Sequence, residues 1–132
     1  MAERLLQAMK RRETMGTLQK LTERKCRPCG QGSVPLSLVR AKDYIAQLTD
    51  WILTKGGKSI SRQYLMKDFL AAVRFMDKIA EAAESEDHHP DLHLTSYRKL
   101  RIELATHSIG GLSENDFILA AKIDQLPKEL KK

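Results

Sequence analysis

The chain has 132 residues and a mass of 15.0 kDa, enough for one domain with its own core and no need of disulfide staples. Hydrophobic residues make up 42% and aromatics 5%, which points to a mostly aliphatic core, and no apolar run approaches the roughly 20 residues of a membrane helix. Of the net charge of +6, residues 1–25 supply seven basic against three acidic side chains, so only +2 remains for the rest; a domain that tracks phosphates concentrates its charge on its folded surface, and direct nucleic-acid binding is not expected.

Residues 1–25 read as a basic N-terminal tail or frayed helix. Leu5, Met9, Leu18 and Leu21 give weak helical periodicity, which Gly16 interrupts. Lys10, Arg11 and Arg12 follow Leu5-Leu6 too closely for a secretory apolar region, and the cytoplasm is the expected location. Residues 26–36 are loop by composition. Within them, Cys26-x-x-Cys29 lacks the preceding strand of a thioredoxin-like motif. That leaves a reduced thiol pair or half of a metal site, in either case outside the active site expected below.

The domain itself is expected over residues 37–127. Ser37 reads as the N-cap of a helix through about Leu48, with Val39, Tyr44, Ile45 and Leu48 as its apolar stripe. Trp51 to Lys55, Gly56-Gly57 and Lys58 to Leu65 read as a β-hairpin. Asp68 to about Glu86 is the strongest helical pattern, with Phe69, Val73, Met76, Ile79, Ala80 and Ala83 on one face. Pro90 disfavours helix at His89, so the helix is expected to end at or just before His88. Leu92 to Tyr97 and Lys99 to Thr106 form a second strand pair, in which Leu100, Ile102 and Leu104 alternate with Arg101 and Glu103 on the wet face. After Gly110-Gly111, Ser113-x-x-Asp116 opens a last helix carrying Phe117, Ala120, Ala121 and Asp124. Met66 and Met76 read as core filler, and residues 128–132 as a basic, solubilising C-terminal tail. The expected fold class is α+β: two layers in the order α-β-β-α-β-β-α, a four-stranded antiparallel sheet with helices packed on one face.

Chemistry is suggested by His88-His89 at the end of the long helix and by His107 at the end of the last strand, since imidazole both gives and takes protons near neutrality. If the helix reaches His88, Glu84 lies one turn earlier on the same face, where its carboxylate meets that imidazole. Zinc ligation by His88, His93 and His107 lacks the usual ligand spacing, and His93 reads as a solvated strand residue.

The run Glu84-x3-His88-His89-Pro90-x6-Tyr97-x9-His107-x8-Asp116, with Thr106-His107 and Gly-Gly-Leu-Ser-Glu-Asn-Asp, closely resembles the pterin-4a-carbinolamine dehydratase family. The resemblance covers about residues 36–126. It implies dehydration of 4a-hydroxytetrahydropterin to quinonoid dihydropterin in tetrahydrobiopterin recycling, the carbinolamine arising from an aromatic amino acid hydroxylase. By motif position it makes His88, His89 and His107 the catalytic set, with His88 and His107 as the acid/base pair and His89 mainly a pterin contact. Asp87, Pro90, Thr106 and Ser108 would bind the substrate, and Glu84, Tyr97 and Asp116 would support it from behind. No metal or added cofactor is implied. The expected partners are the pterin and further copies of the chain in a homodimer or homotetramer, and no membrane. The chain departs from animal members in carrying Leu92 and His93 where an aromatic usually follows His-His-Pro, and in one extra residue before Tyr97. A binding protein of the same fold is the alternative, either a transcriptional dimerisation cofactor or a carboxylase assembly factor. The three histidines favour the enzyme.

Overall fold

The computed structural model describes residues 20–28 and 33–132. Cys29 and the periodic positions Leu5, Met9 and Leu18 therefore lie outside the described residues. The elements run α1 (Leu38–Ile45), β1 (Ile52–Thr54), β2 (Ser59–Leu65), α2 (Phe69–Glu86), β3 (Asp91–Thr95), β4 (Lys99–Leu104) and α3 (Glu114–Gln125). The strands form one antiparallel sheet in the order β1-β2-β4-β3, so the expected α+β order holds. Among the described residues no helix is long and apolar enough to cross a membrane.

Strand alternation fixes which face of the sheet is covered. Ile60 pairs with Leu104 and Tyr64 with Leu100, while Ile102 stands between Arg62 and Leu92. All five apolar side chains of β2 and β4 in this set are buried. The helices pack on this face: Phe75 meets Tyr64 edge to face at 5.1 Å, and Phe117 stacks on Tyr44 at 5.1 Å. At the C-terminal end of α3, Asp124 accepts from Trp51 Nε1 at 2.9 Å, from Arg62 Nη1 at 3.0 Å and from the Tyr64 hydroxyl. One carboxylate thus pins the helix to β2 and to the chain before β1.

Caps stop and start the helices where their sequences suggest. Ser37 accepts from the Arg40 N–H at 3.3 Å and Asp68 from the Ala71 N–H at 2.8 Å. The expected faces are rotated, however. On α2 the buried residues are Ala71, Ala72, Phe75, Ile79 and Ala83, whereas Phe69, Leu70 and Val73 are exposed. Docking of the Phe75 ring against Tyr64 turns the helix about one residue away from the face chosen by counting aliphatics. On α1, which stops at Ile45, Tyr44 and Ala41 go inward and Val39 faces solvent. Met66 is fully buried and Met76 partly so.

Three further expectations are corrected. Glu103 is buried rather than wet, because Lys55 and Arg101 close over it. The hydrogen bond from Lys55, with help from Arg101, outweighs burial and holds its carboxyl below the usual glutamate range. The C-terminal tail pairs with the chain after β2: Lys67 donates to Glu129 O at 2.9 Å and Lys131 to Leu65 O at 3.0 Å. Finally, the N-terminal segment is no free tail from Lys20 onward. Leu21 is 5% exposed within the main core, and Arg24 pairs with Glu114 on α3.

Replacing a buried leucine by alanine typically costs about 2–5 kcal/mol. Leu21→Ala should therefore lower the unfolding free energy by an amount at the lower end of that range, given its place at the core's edge. Urea titration with an unchanged midpoint would show that residues 20–25 do not contribute to the folded domain.

Candidate active site

The C-terminal end of α2 aims the two adjacent histidines in different directions. Asp87 takes the left-handed conformation (φ 50°), its N–H donates to Glu84 O at 3.2 Å, and the His88 N–H reaches back to Ala83 O at 3.1 Å. These two bonds make a Schellman turn, built here on an aspartate, one of the few non-glycine residues that tolerates this region. The helix thus ends at Glu86, before Pro90 has any bearing on it, and His88 is no longer on the helix face. The expected Glu84–His88 pair does not form. Glu84 Oε1 instead accepts from His89 Nε2 at 2.8 Å, and both of those side chains are largely exposed.

The partner of His88 is Asp116. Its Oδ1 lies 2.6 Å from His88 Nε2, and its Oδ2 accepts from the Thr106 hydroxyl at 2.8 Å and from the Ser113 N–H at 2.9 Å. The last of these is half of the capping box that starts α3. Asp116 is fully buried and the His88 side chain is 11% exposed. An ionised carboxylate only accepts, so Nε2 carries the hydrogen and Nδ1 is left as the working nitrogen. Among the described residues, no protein group is bonded to Nδ1.

The loop between β4 and α3 brings Thr106 to this carboxylate. Thr106 N–H donates to Gly111 O at 2.8 Å, closing a short turn over His107–Ile109. Gly110 supplies the positive φ of 72° that ends this turn, and a Cβ on Gly111 would stand 2.8 Å from that of Pro35. The turn presents His107 and Ser108 at the surface.

A cleft of about 180 Å³ opens at this junction, lined by Cys26, Arg27, Pro28, Glu86, Asp87, His88, Thr106, Ser108 and Asn115. Of the residues singled out from sequence, Asp87, His88, Thr106 and Ser108 line it, and Asp116 stands behind His88. His89 and Pro90 follow as the chain enters β3, and His107 sits between two lining residues, exposed. Tyr97 is elsewhere: it occupies the β3–β4 turn with φ 54°, at the far end of β4 from Thr106, beneath the Arg98 guanidinium. His93 is exposed on β3. Among the described residues no group of three or more His, Cys, Asp or Glu side chains is arranged to hold a metal ion.

Sequence reasoning missed the wall formed by Cys26, Arg27 and Pro28, and put Cys26 outside the site. The wall is held by Glu86 and Asn115, which lie 60 and 88 residues away along the chain from the groups they bind. No periodicity links such distant positions. Glu86 Oε2 accepts from the Cys26 N–H at 2.8 Å while Oε1 pairs with Lys122. Burial opposes the charge of Glu86, but these two donors outweigh it and hold its carboxyl below the usual range.

Comparison with known proteins matches residues 34–126 to the family model described as pterin 4 alpha carbinolamine dehydratase. A provisionally named pterin-4-alpha-carbinolamine dehydratase of Halorhodospira halophila is 41% identical over 106 residues, covering 80% of this chain and 96% of its own length. The mitochondrial pterin-4-alpha-carbinolamine dehydratase 2 of Arabidopsis thaliana is 40% identical over 88% of this chain, which spans only 64% of that longer protein. Among solved structures, a transcriptional coactivator/pterin dehydratase from Brucella melitensis superposes with a TM-score of 0.64 at 33% identity, over 68% of this chain and 95% of its own.

Burial, with the nearby charge of Glu86, pushes the Cys26 thiol up from 9.0 to about 12. The thiolate is the reactive form, so Cys26 in the folded protein should alkylate with iodoacetamide at mildly alkaline pH at least about 10²-fold more slowly than an unshifted thiol. Alkylation at the rate of a free peptide thiol, followed by peptide mass mapping, would place Cys26 in solvent instead of the cleft wall.

Proposed function

The chain belongs to the pterin-4-alpha-carbinolamine dehydratase family, and from that premise we propose that it removes water from 4a-hydroxytetrahydropterin to give quinonoid dihydropterin, with histidines as acid and base. The observation that carries this reading is the hydrogen-bonded chain Thr106–Asp116–His88 at the wall of the cleft. It fixes the ring of His88 and its hydrogen on Nε2, so that Nδ1 is the nitrogen open to a proton on the substrate.

The reaction needs two proton movements. The 4a-hydroxyl leaves as water once protonated, and the ring nitrogen beside C4a gives up its proton as the new double bond forms. His88 serves one of these transfers and His107 the other, each worth about 10²–10⁴ in rate when well placed. His89, held outward by Glu84, contributes to pterin affinity. Asp87, Pro90, Thr106 and Ser108 supply polar and shape contacts to the ring. In this reading the product goes to a reductase that restores tetrahydropterin for an aromatic amino acid hydroxylase, and no metal takes part.

The exposed row Phe69, Leu70 and Val73 on α2 supports self-association as a homodimer or homotetramer. The same row is the observation on the side of a second reading, in which the chain acts as a binding protein. The two are separated by whether turnover depends on the histidines.

His88→Ala and His107→Ala should each lower kcat by about 10²-fold or more, while His89→Ala should act chiefly on KM. Glu84→Gln should leave kcat within about twofold, because its partner pair is exposed and weak. Stopped-flow decay of the carbinolamine is the measurement. Folded alanine variants that turn over at the parent rate would favour the binding reading.

A further inference from the structure

Residues 24–28 form a short strap beside the His88 cleft, with Cys26, Arg27 and Pro28 in its lining. The family match begins at residue 34, so the strap precedes it. It is attached to the folded domain at Arg24, Cys26 and Arg27. Arg24 pairs with Glu114, the Cys26 N–H donates to Glu86, and Arg27 is gripped at its peptide group by Asn115. The last attachment is reciprocal: Arg27 N–H donates to Asn115 Oδ1 at 2.9 Å, and Asn115 Nδ2 donates to Arg27 O at 2.5 Å. A side-chain amide that satisfies both groups of one residue mimics a β-ladder step and leaves the strap little freedom there.

Asn115 is itself 8% exposed and sits in the first turn of α3, next to Asp116. The same helical turn therefore sets both the histidine on one wall of the cleft and the peptide wall facing it. On the outer side of the strap lies a second cavity of about 410 Å³, between Glu23–Arg27 and α3. The strap thus separates two cavities, with Arg27 lining both, and is held by its clamps and by Cys26 packed against the core.

We propose that Arg24–Pro28 forms the outer wall of the pterin site and that Asn115 is a positioning residue for the substrate, acting through the Arg27 peptide group. This rests on the dehydratase reading and adds to it the element that confines the ring opposite His88. Cys26 and Pro28 present small, uncharged surface suited to the flat face of a bicyclic ring, and neither takes part in proton transfer. Releasing the strap weakens binding while leaving the acid/base groups as they were.

The test uses the full-length chain. Loss of two hydrogen bonds that hold a binding wall corresponds to about a tenfold rise in KM, with kcat within about threefold, for Asn115→Ala. Trypsin cleavage after Arg24 and Lys25 reports the strap directly. It should speed up in Asn115→Ala, and in the parent protein it should slow when 7,8-dihydropterin, a stable reduced pterin, is bound. An unchanged KM in a variant whose strap is cleaved faster would overturn the proposal. So would unchanged cleavage in Asn115→Ala, or parent cleavage indifferent to saturating dihydropterin. If Asn115→Ala fails to fold, protection of the parent strap decides alone. Failure of the parent protein to turn over carbinolamine would instead sink the enzymatic reading, which is a separate outcome.

Discussion

One buried carboxylate ties the site together. Asp116 has no solvent contact and accepts three hydrogen bonds, from His88, Thr106 and Ser113. An unpaired ionised group in such a place would be far too costly, so each donor is required as much as it is used. The donors come from the end of α2, the end of β4 and the start of α3. Breaking a buried pair of this kind costs about 3–5 kcal/mol. The same contact that starts the last helix therefore holds the histidine of the candidate site, and local folding and chemistry share one side chain.

Asp124 repeats the arrangement at the other end of α3, where it gathers Trp51, Arg62 and Tyr64. Burial, reinforced by donation to Asp124, pushes the Tyr64 phenol above its usual range and keeps it a donor. Between the two carboxylates α3 is buried on nearly every side from Asn115 to Ala121. A helix so enclosed has no freedom to rotate, and its first turn can aim Asp116 toward His88 and Asn115 toward Arg27 with fixed geometry. The sheet contributes by holding Leu104 opposite Ile60, which fixes where Thr106 emerges.

Much of this is legible in the amino-acid sequence. Ser37, Asp68 and Ser113-x-x-Asp116 mark helix starts because a cap is a local event, and the alternation Leu100, Ile102, Leu104 marks a strand because its pleat is local too. The motif gives Asp116 a supporting place, whereas helix spacing gives Glu84, not Asp116, as the partner of His88. A left-handed residue at Asp87 carries no glycine signal, and without it the i,i+4 spacing sets Glu84 on the same helix face as His88. The rotation of α2 was hidden for another reason. Helical periodicity counts apolar residues, whereas the Phe75–Tyr64 ring contact decides which of two apolar faces is buried. Partners as distant as Cys26 and Glu86 meet only through the tertiary fold.

In the proposed mechanism Asp116 fixes the tautomer of His88 and so exposes Nδ1 to the substrate. Imidazole 15N–1H correlation spectra, recorded where the ring is neutral and assigned by His88→Gln, test it most directly. His88 should show a single Nε2–H tautomer with a slowly exchanging proton, and Asp116→Ala should lose that preference. A His88 ring that carries its hydrogen on Nδ1, or that averages freely between tautomers in the parent protein, would contradict it.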